Sequence, residues 1–144
     1  MPDIRHSITI DAPPERVYPL VTSAKGLSIW WAEDASDDSA SGTVSLGFFN
    51  RATVYRLKQL VMATPLEAEW ICESGKEWSE TRLIFRLKPD GARTRVRFTH
   101  ADWAADTDYF VDCTTTWGGL MFRLKAAAEG KSATPLFSRT GLAY

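Results

Sequence analysis

Residues 107–128 read TDYFVDCTTTWGGLMFRLKAAA and predict the long helix around which the rest of the fold is arranged. Asp106 or Thr107 can cap its start, Gly130 can adopt the left-handed turn that follows a helix, and Pro135 prevents continuation. Large apolar side chains recur at steps of three and four residues, which places them on one face of the helix. These residues are Phe110, Cys113, Trp117, Leu120, Met121 and Leu124. A stripe of this length requires an apolar surface to cover it.

Strand patterns that can supply this surface precede the helix. Ile4, His6, Ile8 and Ile10 alternate with Arg5, Ser7 and Thr9, which is the period-2 pattern of a half-buried strand. The connections between the later segments are short and contain turn-forming residues, so antiparallel neighbours joined by hairpins are favoured. The five later segments with strand character are residues 43–49, 53–63, 67–73, 80–87 and 94–101.

Alternation within these segments predicts a sheet with one apolar and one charged face. In the last segment Val96, Phe98 and His100 share a face, and arginines at 93, 95 and 97 share the other. For residues 53–63 the pattern does not decide which side chains point inward, because Tyr55 and Gln59 share one phase while apolar residues occur on both. An apolar sheet face needs a cover, and the long helix can provide it.

Two short helices are expected between the first two strands. Pro14 suits a first helical turn, Pro19 predicts a kinked or abbreviated helix, and Gly26 is expected to break the chain before a second short helix around residues 27–30. Residues 34–42 read DASDDSASG and predict a polar surface loop. The predicted class is therefore α+β with a helix-grip fold, in which a curved antiparallel sheet wraps around the long C-terminal helix. One domain spans residues 1–144, with a tail over 131–144.

Composition narrows the classes of function. The 144 residues carry a net charge of −1 and contain no basic run, so nucleic acid is not an expected partner. No stretch has the length and hydropathy of a membrane span or the pattern of a leader peptide, which predicts a cytoplasmic protein. Cys72 and Cys113 lack the spacing of a metal site, so we expect two buried thiols and neither metal nor cofactor. The six Trp, seven Phe and four Tyr suit a core, an interface or a ligand pocket.

Several motifs together resemble a known family. They are ITIDAPPERV at residues 8–17, Trp30-Trp31, Trp117, Leu120, Leu124-Lys125, Glu129-Gly130-Lys131 and Pro135. In this order they resemble the START-like (SRPBCC, Bet v 1-like) superfamily, in its branch homologous to activator of heat shock protein 90 ATPase. The resemblance covers essentially the whole chain and implies a cavity between sheet and long helix that accepts apolar molecules. Pro19 and the tail after Pro135 depart from the family pattern, and the tail is expected to pack on the domain or on a second subunit.

The candidate cavity residues are large side chains on the predicted inward faces. Phe110, Trp117 and Met121 are expected to face Trp70, Phe85 and Phe98 across the cavity. Tyr55 or Gln59, which share a phase, is the expected source of a hydrogen bond to a ligand. The full set is Trp31, Phe48, Tyr55, Trp70, Phe85, Phe98, His100, Trp103, Phe110, Trp117 and Met121.

Three hypotheses for function follow. The preferred one is noncatalytic binding of a small hydrophobic or aromatic ligand. The second is a cyclase-, aromatase- or hydrolase-like enzyme in which His100, the candidate catalytic residue, transfers protons together with Asp102 or Tyr55. No motif for catalysis supports it. The third is an interaction module for a chaperone or a regulatory partner. For the oligomeric state, a homodimer is considered beside a monomer.

Overall fold

The structure, a computed structural model, describes residues 1–142. A first strand leads into two short helices, six further strands and a long helix. The elements are β1 (Ile4–Ile10), α1 (Pro14–Thr22), α2 (Ala24–Trp30), β2 (Asp34–Asp38), β3 (Thr43–Phe48), β4 (Thr53–Ala63), β5 (Glu67–Cys72), β6 (Arg82–Asp90), β7 (Arg93–Ala101) and α3 (Asp108–Ala128).

Within residues 1–142 the seven strands form one antiparallel sheet in the order β1-β7-β6-β5-β4-β3-β2. The hairpin connections place β2 to β7 side by side in chain order, and β1 joins at the edge of β7. The helix α3 packs against β1, α1 and α2 over the concave face of the sheet. The predicted α+β helix-grip fold is confirmed.

The ends of α3 match the sequence prediction. Thr107 is the N-cap, and its hydroxyl accepts a hydrogen bond from the Phe110 amide at 3.2 Å. Gly130 follows the helix with φ +74°, a left-handed conformation that glycine adopts without a steric cost. The helix therefore begins and ends where local capping chemistry places its ends.

The prediction of a surface loop over residues 34–42 is wrong for its first half. Asp34–Asp38 forms the edge strand β2, which pairs with β3 in the register Asp34↔Gly47 to Asp38↔Thr43. The side chains are mostly exposed, so the sequence lacks the apolar alternation of a half-buried strand. An acidic edge strand discourages pairing with other chains, which explains its polarity.

The expected break at Gly26 is also wrong. Gly26 lies within α2, which begins after Ser23, and the Ser23 hydroxyl accepts a hydrogen bond from the Gly26 amide at 3.0 Å. A Cβ at Gly26 would lie 2.1 Å from the Pro19 carbonyl oxygen of α1. Glycine at this position thus permits the close approach of the two helices rather than interrupting one of them. The shortness predicted for α1 holds, since it spans nine residues with Pro19 inside it.

A β-bulge explains the ambiguous pattern of residues 53–63. Tyr55 and Leu57 are buried on the concave face, and the register of β4 against β5 then shifts between Gln59 and Val61. The shift moves Met62 into the phase that packs on the core. Apolar residues therefore occur on both phases because the inward face changes along the strand.

Candidate functional site

A cavity of about 410 Å³ opens under the first half of α3, at the β3–β4 side of the sheet. Its volume lies within the ~300–1,000 Å³ range of small-molecule sites. Its walls come from α3, from β3 and β4, from the β5–β6 connection and from the chain that follows α3. The lining residues are Trp31, Phe48, Phe49, Thr53, Tyr55, Trp78, Tyr109, Asp112, Cys113, Thr116, Trp117, Leu120, Phe137 and Leu142.

Aromatic rings hold one another in place around this cavity. The Tyr55 ring stacks on Trp78 with a centroid distance of 4.2 Å and an interplanar angle of 7°. Trp31 contacts Trp117 at a centroid distance of 4.9 Å. Because each ring is fixed by a neighbour, the cavity has stiff, mainly apolar walls.

The C-terminal strap, defined as residues 136–142, forms one wall. The Leu136 and Phe137 amides donate hydrogen bonds to the Trp30 and Trp31 carbonyl oxygens at 3.1 and 2.9 Å, and the Glu33 amide donates to the Phe137 carbonyl at 2.9 Å. Of the two alternatives for the tail, packing on its own domain is therefore observed for the strap. Residues 143 and 144 lie outside the described part of the chain.

Polar contacts attach the far end of the strap. The Asn50 amide donates to the Arg139 carbonyl oxygen at 2.7 Å, and the Arg139 amide donates to the Glu33 carboxylate at 2.8 Å. The Asp34 carboxylate lies 2.9 Å from the Arg51 guanidinium and 3.6 Å from that of Arg139. These ion pairs are largely solvent-exposed at the arginines, so they orient the strap and add little stability.

The strap also buries apolar surface at the cavity. The Phe137 ring meets Phe48 edge-on with a centroid distance of 5.0 Å and contacts Phe49 at 6.2 Å. Leu142 lines the cavity beyond Phe137. The strap thus supplies ring contacts that the sheet and α3 do not provide at this end.

A small polar cluster interrupts the apolar wall. The Tyr55 and Tyr109 hydroxyls are hydrogen-bonded to each other across the gap between β4 and α3. Burial raises the pKa of both phenols, so both stay protonated over the physiological pH range. Burial likewise raises the pKa of the neighbouring Cys113 thiol. The cluster is therefore neutral and keeps its protons.

His100 lies behind this wall and is fully buried. The Trp117 indole N–H donates to His100 Nδ1 at 3.1 Å. Indole is a donor only, so Nδ1 is unprotonated and Nε2 carries the proton, which it donates to Thr81 Oγ1 at 2.8 Å. The Thr81 hydroxyl in turn donates to the Trp78 carbonyl oxygen. Both ring nitrogens are thus satisfied by protein groups.

The environment of His100 keeps it neutral. Burial lowers the pKa of its imidazole to about 3. The Trp78 ring contacts His100 edge-on at a centroid distance of 4.5 Å and also stacks on Tyr55. Asp102 is engaged elsewhere, since its carboxylate accepts a hydrogen bond from Arg82 Nε at 2.6 Å. His100 is a structural, satisfied histidine that contacts neither Asp102 nor the cavity.

Four of the eleven candidate residues line the cavity: Trp31, Phe48, Tyr55 and Trp117. The others lie in the packed core or at its edge. Phe110 is half-buried and contacts Trp103 edge-on at 5.2 Å. The fully or almost fully buried ones are Trp70, Phe85, Phe98, His100, Trp103 and Met121.

No open space separates the two predicted walls of the cavity. Phe98 and Trp117 are in ring contact at a centroid distance of 4.2 Å, and Phe85 contacts Phe98 at 5.0 Å. As expected, α3 faces the central strands at Trp117, which contacts Phe98 of β7. The cavity itself lies farther along, beyond Trp117 and Trp78, on the β3–β4 side.

Several lining residues escaped sequence reasoning. Tyr109, Cys113, Thr116 and Leu120 recur at steps of four, three and four, and this stripe on α3 shares Cys113 and Leu120 with the apolar one. That spacing is a usable signal, although two of its members are polar. Trp78 lies in a connection between strands, and Phe137 follows α3 by several residues, so neither belongs to a periodic segment.

The fold and the cavity define a helix-grip domain of the START-like, Bet v 1-like class. The chain belongs to the family described as Activator of Hsp90 ATPase homolog 1-like protein, whose family model matches residues 11–129. The strap lies outside the matched range.

One solved structure supports the same assignment, and others share the fold. The chain is 30% identical to the Aha1 dimer from Colwellia psychrerythraea, covering 90% of this chain and 97% of that one with a TM-score of 0.77. Protein SSP2350 from Staphylococcus saprophyticus is 16% identical, with 96% and 99% coverage and a TM-score of 0.74. CalU16 from Micromonospora echinospora is 18% identical, with 92% and 68% coverage and a TM-score of 0.73. The last two comparisons show the fold alone.

A search among curated proteins found no match. Of the helices in residues 1–142, none combines the length and hydropathy needed to cross a membrane. The same residues contain no group of three or more His, Cys, Asp or Glu side chains arranged to hold a metal ion.

Proposed function

We propose that this protein binds a small hydrophobic or aromatic ligand in the cavity under α3 and does not act on it chemically. The observation that carries the proposal is an open, mainly apolar space of about 410 Å³ in a domain whose core is otherwise packed with large rings. Leaving aromatic surface uncovered forgoes the free energy that burial would provide. A ligand that fills the space recovers it.

The position of His100 favours binding over catalysis. Its nitrogens are occupied by Trp117 and Thr81, it is fully buried, and Trp78, which lines the cavity, packs against it. Proton transfer to a molecule in the cavity would require a path that this packing blocks. The remaining polar cluster has raised pKa values, which suits hydrogen-bond donation better than proton abstraction.

Ligand binding is tested with a panel of small aromatic compounds, using tryptophan fluorescence and thermal shift as readouts. Trp31, Trp78 and Trp117 line the cavity and report occupancy directly. At a ligand concentration of about 100 Kd the folded state gains about 2.7 kcal/mol. Native mass spectrometry of the purified protein provides a second readout, since a copurified molecule appears as a defined mass increment.

A matched pair of variants locates the binding. Thr116→Phe adds a ring to a residue that lines the cavity, whereas Thr115→Phe adds it to the neighbouring exposed position. We expect the first to abolish binding and the second to leave it unchanged. Equal affinities in the two variants, or a panel without any binder, would overturn the proposal.

A homodimer is proposed as the oligomeric state. The relative from Colwellia psychrerythraea is a dimer. In this chain Val111 and Phe122 are 56% and 69% exposed, and eleven residues of helix bring them to the same outer face of α3. Light scattering coupled to size exclusion tests it, with Phe122→Glu expected to give monomer and Leu60→Glu, at an exposed apolar residue of β4, as control. A monomeric wild-type protein contradicts it.

A chaperone-regulating role is the other candidate, favoured by the family description alone. It predicts a faster ATPase rate of purified Hsp90 on addition of this protein. An unchanged rate over a wide concentration range counts against it, and it leaves the cavity proposal intact.

A further inference from the structure

The polar cluster in the cavity has an unequal supply of donors and acceptors. Tyr55 projects from β4 and Tyr109 from the first turn of α3, and one hydrogen bond joins their hydroxyls. Two hydroxyls carry two protons, and a single bond between them uses one. One O–H proton therefore remains to be donated by the pair.

The protein offers this proton only a poor acceptor. The Cys113 thiol lies next to Tyr109 and interacts with it, and the buried Trp78 indole N–H also lies against this thiol. Thiol sulfur accepts hydrogen bonds weakly, and the Trp78 nitrogen has no partner of ordinary hydrogen-bond geometry. An oxygen atom brought in by a ligand would be a better acceptor than any group already present.

The charge of the lining restricts the ligand further. Among the lining residues of the described chain, Asp112 is the one charged side chain, and it is exposed at the mouth. Without a lysine, arginine or histidine in this set, a carboxylate in the cavity would be an unpaired buried anion, which is costly. The Tyr55–Tyr109 pair therefore binds an uncharged hydrogen-bond acceptor more favourably than an anionic one.

Orientation is built into the site. The Tyr55 ring is held by its stack on Trp78, so its hydroxyl cannot swing away from Tyr109 without breaking that contact. A preorganised donor loses little entropy when a ligand binds. The rings of Trp31, Phe48 and Phe137 then receive the rest of the molecule.

We propose that the ligand is an uncharged aromatic molecule with a carbonyl or ether oxygen, and that the Tyr55–Tyr109 pair donates a hydrogen bond to this oxygen. The inference rests on the proposed cavity binding and adds the chemical class of the ligand to it. It also assigns Tyr55 and Tyr109 as the residues that select that class.

Four naphthalene probes of similar size separate the possibilities. 2-Acetylnaphthalene carries a neutral acceptor, 2-ethylnaphthalene has none, 2-naphthoate is an anion and 2-(aminomethyl)naphthalene is a cation at neutral pH. Their dissociation constants are measured by calorimetry on the full chain. We expect the ketone to bind roughly threefold to tenfold more tightly than the ethyl compound, the ratio typical of one net hydrogen bond, and the naphthoate to bind weakest.

The double variant Tyr55→Phe/Tyr109→Phe keeps both rings and removes both hydroxyls. It should bring the ketone to the affinity of the ethyl compound and leave the latter unchanged. Tyr18→Phe is the matched control, because Tyr18 is as buried as Tyr55 but its hydroxyl contacts the Met62 sulfur outside the cavity. That variant should keep the wild-type ratio, and melting curves verify that all three proteins are folded.

The outcomes distinguish the two proposals. Equal affinity for the ketone and the ethyl compound, or a preference that survives in the double variant, overturns the inference while cavity binding stands. Tightest binding of the naphthoate also overturns it. Tightest binding of the ammonium probe overturns it as well, because it would indicate that the Asp112 carboxylate pairs with the ligand. If none of the four probes binds, the proposed function falls and this inference falls with it.

Discussion

The two ends of the space between sheet and helix contain similar residues but differ in packing. The closed half, defined by Phe85, Phe98, His100 and Trp103, has ring contacts and hydrogen bonds that leave no opening. The cavity half, defined by Phe48, Tyr55, Tyr109 and Phe137, is equally aromatic and encloses an open volume. Aromatic content alone therefore does not decide whether a region is core or pocket.

The difference follows from what covers each part of the sheet. The helix α1 contacts β5, β6 and β7, so side chains on these strands are covered by α1 as well as by α3. The cavity half lies under the start of α3 and the strap. Trp78 and Trp117 lie at the boundary, and Trp78 contacts both Tyr55 of the cavity half and His100 of the closed half. The pocket lies where the first half of α3 and the strap cover the sheet, instead of α3 and α1 together.

The largest expected effect is in the closed half. Phe98→Ala removes a ring that is 1% exposed and contacts Phe85 and Trp117, so it should lower the free energy of unfolding by about 3–5 kcal/mol. Urea denaturation measures it. A loss below about 1 kcal/mol would show that the closed half is not tightly packed and would remove the contrast between the halves.

Acid sensitivity should also arise from the closed half. The His100 pKa is about 3 in the folded state and 6.5 in its ordinary state, so only the unfolded state takes up this proton below pH 6.5. The stabilisation is complete above pH 6.5 and is lost as the pH falls towards 3. The slope should approach about 1.4 kcal/mol per pH unit between pH 6 and 4.

Denaturation of wild type and His100→Gln at a series of pH values isolates this contribution. The variant lacks the titrating imidazole, so its unfolding free energy should depend less steeply on pH over the same interval. Parallel pH dependences in the two proteins would mean that the imidazole is accessible to protons in the folded state.

A smaller stability effect is expected in the cavity half. Phe137→Ala removes a half-exposed ring and should lower the free energy of unfolding by roughly 1 kcal/mol. Its main consequence should be weaker ligand binding, because the strap loses the ring that closes one wall. Stability and probe affinity measured on the same protein check both statements, and a stability loss as large as that of Phe98→Ala would contradict the distinction.

The smallest effect is a difference in thiol reaction rate. Cys113 lines the cavity at 7% exposure, whereas Cys72 is 1% exposed and burial raises its pKa to about 12. A small alkylating reagent should modify Cys113 first, and a bound probe should protect it. Peptide mass mapping over time identifies the modified cysteine. Faster modification of Cys72 would show that the reagent reaches the core near Cys72 and not through the cavity, which would contradict the proposed location of the cavity mouth.

The order of elements and the faces of most strands could be predicted from the sequence. The alternation of Val96, Phe98 and His100 and the helical stripe around Trp117 are local patterns, and side-chain direction follows directly from strand and helix periodicity. The same logic failed for β2, whose exposed acidic side chains carry no apolar alternation, and for Gly26, whose role depends on a second helix.

The site was less accessible to sequence reasoning. Trp31, Phe48, Tyr55 and Trp117 could be chosen as candidates because they are large and near the inward faces. Whether such a ring borders an opening or fills the core depends on contacts between elements that are distant in the sequence. Trp78 and Phe137 lie outside the helices and strands, so no periodic pattern in the sequence predicts that they line the cavity.

The sequence by itself determined the type and order of most elements, the capped ends of α3 and the apolar face of the sheet, because these depend on interactions within a few residues. Only the tertiary structure decided where the space remains, that His100 is satisfied on both nitrogens, and that Tyr55 meets Tyr109. The physical reason is that packing is a property of several chain segments at once. The volume left between them cannot be assigned to any one segment.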